Sequence, residues 1–471
     1  MTAKQLKNKL SKKTPLLMSP FGFALAACGG GGESGSPAVA PKLSTVLTLT
    51  PSGDETIDMM TTSSYYRSSA TSPISYGLTD GQYGEQWEDP EAVAAVLQDV
   101  MAEFNKYADI NLQYAGKYES PNAATSAGVS VILSSDKFIF EAEGSDGVWH
   151  HYYPHATDDG GAGVDQIGGD LYLNFNSSKW NASSQAVFES RITDTDFGFA
   201  ALMHGMLGTV GVKSTYAEAD GHPSIENTRW ADDADDYTIS ASNISYDSIV
   251  GDFGATLGIL DILALMHLYG PNPSTNIGDT EYDLSDTNEY SVIYDAGGED
   301  TISFETTDRD IGIALPELEL TETFFNVDDL KIGVLIVESG TPQEVRGFII
   351  GDLENIKTGS GNDNIVTNTL DNVVHAGAGD DTIVLSAGND VIYGGEGADI
   401  FQTEALIGDT FQFATNTIIK DFEVGIDTLD LPRSPEEDVY SRNEDGFATY
   451  TNSAGVNVVL EGIEANVLLI A

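Results

Sequence analysis

Residues 358–402 fall without gaps into five consecutive blocks of nine: TGSGNDNIV, TNTLDNVVH, AGAGDDTIV, LSAGNDVIY and GGEGADIFQ. Four of the five place Gly fourth, Asp sixth and an apolar residue eighth. These residue types at this spacing suit a hard divalent cation. Glycine tolerates the positive φ of a tight turn, so that backbone carbonyls can aim at an ion. The aspartate adds a carboxylate oxygen of the kind calcium prefers. The candidate ligating positions are Gly359, Gly361 and Asp363, then Gly377, Gly379 and Asp381, then Gly388 and Asp390, then Gly395, Gly397 and Asp399. The pattern is Gly-Gly-x-Gly-x-Asp-x-U-x, which builds a parallel β-roll whose eighth residue faces the interior from a short strand. A loop merely rich in Gly and Asp does not hold a nine-residue phase.

The segment closely resembles the RTX repeat family of calcium-binding proteins. That resemblance implies an ion between one turn and the next turn but one, eighteen residues on. Asp363 is then paired with Asp381, and Asp381 with Asp399. Asp390 has Asn372 as its partner, in a block where Leu370 replaces the turn glycine. Two intact sites and one weak one are expected.

Composition fits an exported calcium protein. Lys and Arg number 21 against 74 Asp and Glu, a net charge of −53. Such a chain repels itself when compact, and divalent cations relieve the repulsion. Metal binding then becomes part of the folding free energy. Solubility in a secreted setting is a compatible reading of the same acidity. No basic patch is available to neutralise phosphate, so nucleic acid is not an expected partner.

Residues 1–28 read as an export leader. Lys4, Lys7, Lys9, Lys12 and Lys13 precede a short apolar core, and Leu25-Ala26-Ala27-Cys28 has the form of a lipobox whose cysteine is acylated. Pro15 and Pro20 interrupt that core. A lipid anchor on Cys28 and an incidental leader therefore stand side by side. Residues 29–68 form a Ser/Thr/Gly/Pro-rich linker. No later stretch is long and apolar enough to span a membrane, so any membrane contact is expected through the N-terminal anchor. The apolar end Asn466–Ala471 resembles the uncleaved signal of a one-step secretion route. Both routes lead outside the cytoplasm, to an extracellular or cell-surface location.

Between residues 70 and 270 the pattern reads as strand, helix, strands, helix. Ile74–Thr79 is a strand, and Pro90–Tyr107 carries Val93, Val96, Leu97, Val100, Met101 and Phe104 at helical spacing. Strands follow at 110–115, 129–134 and 169–174, then a second helix over 195–209. Beyond it, the run Leu260-Asp261-Ile262-Leu263-Ala264-Leu265-Met266-His267-Leu268-Tyr269-Gly270 is similar to a segment of the serralysin zinc endopeptidases. Gly278-Asp279-Thr280, Tyr294-Asp295-Ala296-Gly297-Gly298-Glu299-Asp300 and Asp421-Phe422 through Leu431 are similar to further segments of that family. The resemblance implies an α+β metzincin-like domain over residues 69–272, a mixed sheet with two long helices. An all-β parallel β-roll of RTX repeats over residues 273–471 follows it.

Serralysins hold zinc through His-Glu-x-x-His-x-x-Gly-x-x-His, and the glutamate takes a proton from the zinc-bound water. The corresponding stretch here is His204-Gly205-Met206-Leu207-Gly208-Thr209-Val210-Gly211-Val212-Lys213-Ser214. The resemblance puts His204 at the first ligand place, Gly205 at the base, and Gly208 and Ser214 at the other ligand places. Ser242-Asn243-Ile244-Ser245-Tyr246 stands where the family has Ser-x-Met-Ser-Tyr. Catalytic zinc needs three protein ligands plus water, and one imidazole does not supply them. His204 is therefore a vestigial zinc position, and no catalytic residue is assigned. The expected protein is a calcium-binding pseudoenzyme that meets an extracellular protein or surface ligand. Two alternatives stay open: a zinc endopeptidase drawing unorthodox ligands from His150, His151 and His155, and an adhesive or structural surface lipoprotein.

Overall fold

The computed structural model describes residues 46–49, 55–62, 64–69, 72–80, 87, 89–135, 149–151, 170–173, 196–213, 257–285, 291–317, 332–338, 344–403, 416–431, 439–451 and 456–464. The chain divides into two compact units, residues 1–270 and 271–471.

In the first unit, strands β1 (Val46–Thr48) and β2 (Ser64–Tyr66) form a small antiparallel pair. The main sheet contains β3 (Ile74–Thr79), β4 (Leu112–Tyr118), β5 (Val131–Ser135), β6 (Trp149–His151) and β7 (Leu171–Leu173), in the order β4-β3-β5-β7-β6. All pairs are parallel except β6 with β7, so the sheet is mixed and β6 is an antiparallel edge. Strand β3 is buried along its whole length, as a central strand between parallel neighbours should be.

The Pro90–Tyr107 helix starts where the sequence predicts. Asp89 accepts the Ala92 N–H at 3.0 Å and Pro90 occupies the first turn, where its missing N–H costs nothing. Val93, Leu97, Val100, Met101 and Phe104 are buried, one stripe of an amphipathic helix. The Asp196–Thr209 and Ile259–Tyr269 helices are different in kind. In both, nearly every described side chain is buried, so the described part of each is an interior helix.

The second unit is a two-sheet roll with additions. One sheet contains β8 (Glu281–Asp283), β10 (Thr301–Ser303), β14 (Asn355–Lys357), β16 (Val373–His375), β18 (Val391–Tyr393), β20 (Asn416–Ile419), β22 (Val439–Arg442), β23 (Phe447–Thr451) and β24 (Asn457–Glu464). Its nine strands run in the order β22-β23-β24-β20-β18-β16-β14-β10-β8. The other sheet contains β9 (Ser291–Tyr294), β11 (Asp310–Glu317), β12 (Ile332–Glu338), β13 (Glu344–Ile350), β15 (Asn364–Val366), β17 (Thr382–Leu385), β19 (Ile400–Thr403) and β21 (Thr428–Asp430). Its eight strands run in the order β21-β19-β17-β15-β11-β12-β13-β9.

Through the repeats the register is parallel, with Ile365 beside Ile383 and Ile383 beside Phe401, and Val374 beside Ile392. Each nine-residue block thus makes one strand, and alternate blocks stack eighteen residues apart. The eighth residues Ile365, Val374, Ile383, Ile392 and Phe401 are all fully buried in one core with Ile302, Ile313, Ile356 and Ile419. The roll is not wholly parallel, however. Strand β12 pairs antiparallel with both β11 and β13, and β23 pairs antiparallel with β22 and β24. These additions lie outside the nine-residue phase, where no periodic signal marks them.

Candidate functional site

The turns that lead into β15, β17 and β19 stack on one flank of the roll. Each ends in an aspartate just before its strand. Asp363, Asp381 and Asp399 are buried, at 2 %, 0 % and 1 % exposure. The three side chains share one geometry. Asp381 Oδ1 accepts the N–H of Asp363 at 2.8 Å, and Asp399 Oδ1 accepts the N–H of Asp381 at 3.0 Å. Asp363 Oδ1 accepts the Ile311 N–H at 2.8 Å. In all three the second oxygen, Oδ2, is buried with no hydrogen-bond partner.

A buried carboxylate oxygen without a donor is costly, on the order of 1–3 kcal/mol or more, unless something positive meets it. Burial raises the pKa of all three groups. Asp381 reaches about 7, with the Asp363 and Asp399 carboxylates adding to the rise, and Asp399 reaches about 6, with Asp427 and Asp421 adding.

The glycines bring the turns into close approach. Gly377, Gly379, Gly395 and Gly397 have φ of +103°, +125°, +102° and +144°. A Cβ on Gly379 would lie 2.0 Å from the Gly361 carbonyl oxygen, and one on Gly397 would lie 1.8 Å from that of Gly379. Carbonyl oxygens and donor-free carboxylate oxygens therefore line the same flank. Among the described residues, no group of three or more His, Cys, Asp or Glu converges. An ion held here must draw on backbone oxygens as well, which is calcium-type coordination. The residues present fit calcium.

The opposite flank, between residues 367–372 and 385–390, is built differently. Asp390 Oδ1 accepts the Asn372 N–H at 3.1 Å, as the repeat geometry requires. Its Oδ2, however, accepts the Thr417 hydroxyl at 3.3 Å. Gly388 keeps its positive φ of +127° and sits against the Leu370 carbonyl.

A third group lies where the chain enters the roll, and the nine-residue phase does not reach it. Asp300 is fully buried. Its Oδ1 accepts the Thr280 N–H at 2.8 Å, and its Oδ2 has no partner. Its own N–H donates to Glu354 Oε2 at 2.8 Å. Asp295 accepts the Tyr282 hydroxyl at 2.5 Å and the Gly297 N–H at 2.8 Å. Burial first, then Asp295 and Glu354, push Asp300 up to about 7. The signal was present in the sequence. Ala296-Gly297-Gly298-Glu299-Asp300-Thr301-Ile302 parallels Ala376-Gly377-Ala378-Gly379-Asp380-Asp381-Thr382-Ile383 with one residue missing.

In the first unit, His204 lies on the Asp196–Thr209 helix and is buried, at 5 % exposure. Gly205, the place of the expected base, packs directly on β7. A Cβ there would meet Leu171 Cδ1 at 2.6 Å and Cδ2 at 3.0 Å. The Leu171 side chain would have to move aside to admit a glutamate here. Gly208 is buried in the next turn, and Gly211 makes the expected turn with φ +104°.

The helix end is tied down at several points. Thr209 Oγ1 and the Tyr76 hydroxyl are 2.8 Å apart, the Tyr269 hydroxyl donates to Val210 O at 2.7 Å, and Thr62 N–H donates to Gly211 O at 2.9 Å. Lys213 is fully buried, with Nζ donating to Met59 O at 2.7 Å. The donor set does not fit catalytic zinc, because Gly205 and Gly208 offer neither carboxylate nor imidazole. His150 and His151 lie on β6, paired with Tyr172 and Leu171. Cys28, His155, Ser214, residues 242–246 and the 466–471 end lie outside the described residues. Among the described residues no helix is long and apolar enough to cross a membrane.

Comparison with known proteins places these features. Residues 357–387 and 366–401 match the family model of the RTX calcium-binding nonapeptide repeat. Serralysin G of Dickeya chrysanthemi is 31 % identical over 224 residues, covering 42 % of this chain and 44 % of that protein. The metalloprotease AprA of Pseudomonas entomophila (strain L48) is 27 % identical over 261 residues, 50 % of each. A serralysin of Proteus mirabilis is 28 % identical over 197 residues, 38 % of this chain and 37 % of its own. The chain thus spans about half, or less, of the length of the curated relatives it matches.

Proposed function

We propose that this serralysin-like chain with RTX calcium-binding repeats is an exported, calcium-dependent binding protein whose metzincin-like domain has lost zinc and peptidase activity. The observation that carries the calcium half is the row of Asp363, Asp381 and Asp399, each with one buried oxygen that no donor meets. Bound there, calcium supplies the positive charge that the row lacks. The chain's own part is to hold the turn carbonyls and carboxylates in register, eighteen residues apart. Asp300, at the entrance of the roll, likewise has one buried carboxylate oxygen that no donor meets.

The loss of hydrolysis rests on the residues themselves, since Gly205 and Gly208 supply neither a general base nor an imidazole, and Leu171 would have to move aside for a side chain at 205. The helix keeps a structural task instead. It packs on β7 and carries the Gly211 turn that the Thr62, Tyr76 and Tyr269 hydrogen bonds hold. The intended partner is an extracellular protein or surface ligand, reached by secretion or through a lipid on Cys28.

A second reading has one observation behind it. Strand β6 carries His150 and His151 beside β7, whose Leu171 touches Gly205, next to His204. Zinc held by His204 and the 150–155 segment belongs to that reading.

Mass spectrometry of metals retained by the full chain, after exposure to calcium and zinc together, separates the two. Several equivalents of calcium with zinc well below one equivalent is the expected result. One tightly held zinc would overturn the loss of the site.

A rebuilding experiment tests the scaffold. Gly205→Glu, Gly208→His and Ser214→His together are expected to gain one zinc equivalent only when Leu171→Ala clears the room. With Leu171 retained, zinc affinity should be weaker by about tenfold or more, the scale of a misplaced support around a metal. Equal affinity with and without Leu171→Ala would mean that Leu171 does not close the pocket.

A further inference from the structure

The two flanks of the roll satisfy their oxygens by different means. On the flank of Asp363, Asp381 and Asp399 the second turn residues are Gly359, Gly377 and Gly395, which have no side chain to offer. On the opposite flank the matching residues are Asn368 and Ser386, and both side chains turn onto the backbone. Asn368 Nδ2 donates to Leu353 O at 2.9 Å, and the Ser386 hydroxyl donates to Thr367 O at 2.8 Å. Asn372 Nδ2 donates to Glu354 O at 2.8 Å and to Asn368 Oδ1 at 2.9 Å. Both asparagines are buried, at 1 % exposure. On the first flank too some turn carbonyls accept donors, Ala376 O from the Thr358 hydroxyl and Gly377 O from the Glu396 N–H. The flanks therefore differ in the side chains of Asn368, Asn372 and Ser386 and in the partner of the second aspartate oxygen.

Further out, the same flank carries a run of side-chain amides across neighbouring strands. Asn389 Nδ2 donates to Asp371 Oδ1 at 2.8 Å, Asn416 Nδ2 to Asn389 Oδ1 at 3.3 Å, and Asn457 Nδ2 to Asn416 Oδ1 at 3.3 Å. This run crosses from the start of β16 to β24.

We infer that the flank formed by residues 367–372 and 385–390 takes no calcium, because the amides of Asn368 and Asn372 and the hydroxyl of Ser386 already occupy the oxygens an ion needs. The roll is clamped by ions on one flank and by amides on the other. The physical ground is that each donor takes one of the two lone pairs of the oxygen it meets and the inserted amide and hydroxyl groups fill the turn, whereas calcium takes six to eight oxygen ligands around it. Asp390 is consistent with this division, since both of its oxygens have donors while one oxygen each of Asp363, Asp381 and Asp399 has none.

The consequence is an uneven response to calcium. Withdrawal of the ion releases the Asp363–Asp381–Asp399 flank and leaves the amide flank paired. This rests on the calcium reading of the first flank, so the test reads the two flanks separately.

Calcium bound per chain is counted by titration calorimetry and metal analysis on the full-length protein and three variants. Asp381→Asn removes the carboxylate shared by two stacked turns and should lower the count by two. Asp390→Asn should leave both the count and the affinity unchanged within about twofold. Asn368→Gly, Leu370→Gly and Asn372→Asp together rebuild the Gly-x-Gly-x-Asp turn and should add one ion. A count lowered by Asp390→Asn, or no ion gained on rebuilding the turn, would show that the flank already holds calcium. An unchanged count in Asp381→Asn would instead defeat the calcium reading of the first flank. Should Asp390→Asn not fold, the rebuilt turn decides by itself.

Discussion

Stripped of calcium, the roll is expected to be more stable at about pH 4.5 than at about pH 7.5, the reverse of ordinary acid denaturation. Asp363, Asp381, Asp399 and Asp300 all have raised pKa values, with Asp381 and Asp300 at about 7 and Asp399 at about 6. An unfolded aspartate titrates near 3.9. Between about pH 4 and pH 7 the metal-free folded state therefore keeps protons that the unfolded chain has released. The stability these groups contribute is fully present below the unfolded value and is lost as the pH rises through the folded values.

Each tenfold gain in a carboxylate's affinity for its proton on folding is worth about 1.4 kcal/mol, and several groups act together. Calcium takes the place of the protons, so its affinity should tighten as the pH rises toward 7 and should level off above it. Thermal melts across this pH range, with and without a chelator, measure both effects. A metal-free midpoint that climbs from about pH 4.5 to pH 7.5 would sink the idea.

Acid also relieves the repulsion of a chain with net charge −53, which acts in the same direction. Asp381→Asn is therefore compared with Asp445→Asn, an exposed carboxylate in the turn between β22 and β23. Only the first should flatten the pH dependence appreciably.

Gly397→Ala is expected to cost more than about 3 kcal/mol and to take calcium binding with it. The residue has φ +144°, and the added methyl would lie 1.8 Å from the Gly379 carbonyl oxygen. That carbonyl has no room to retreat, because Gly379 rests on Gly361 in the same way and β15, β17 and β19 are paired in register behind the turns. Gly425→Ala is the control. Its φ is +84°, but nothing lies within 4 Å of the added methyl, so it should show only the strain of the left-handed region, about 1–2 kcal/mol. Denaturant unfolding of the two variants in saturating calcium gives the comparison. Equal losses would mean that turn stacking does not limit the roll.

Much of this protein is readable from its residues because its repeating unit is local. A turn and a three-residue strand fit within nine residues, so glycine, aspartate and the apolar eighth residue mark each element where it stands. The buried row from Ile365 to Phe401 follows from that phase, and the pairing of Asp363, Asp381 and Asp399 eighteen residues apart is what the resemblance to the repeat family implies. Residue identity also suffices to show that positions 205, 208 and 214 carry no imidazole or carboxylate.

Other features depend on residues distant in the chain. The group at the entrance of the roll is assembled from Thr280, Tyr282, Asp295, Asp300 and Glu354. The antiparallel strands β12 and β13 enter the roll between β11 and β9 with no nine-residue mark. Leu171 meets Gly205 only because β7 passes beneath the helix.

The sequence alone determined which residues could offer oxygen to an ion and how far apart they recur, since both are properties of a short repeat. Tertiary structure alone decided which of those oxygens lack a donor. Asn372 and Asp390 look like a weakened ion site in one dimension. In three, Glu354 and Thr417 arrive from another turn and strand and, with Asn368 of the same turn, complete their hydrogen bonds. A buried oxygen needs a positive partner, and whether an amide, a hydroxyl or calcium supplies it depends on what the fold brings within about 3 Å.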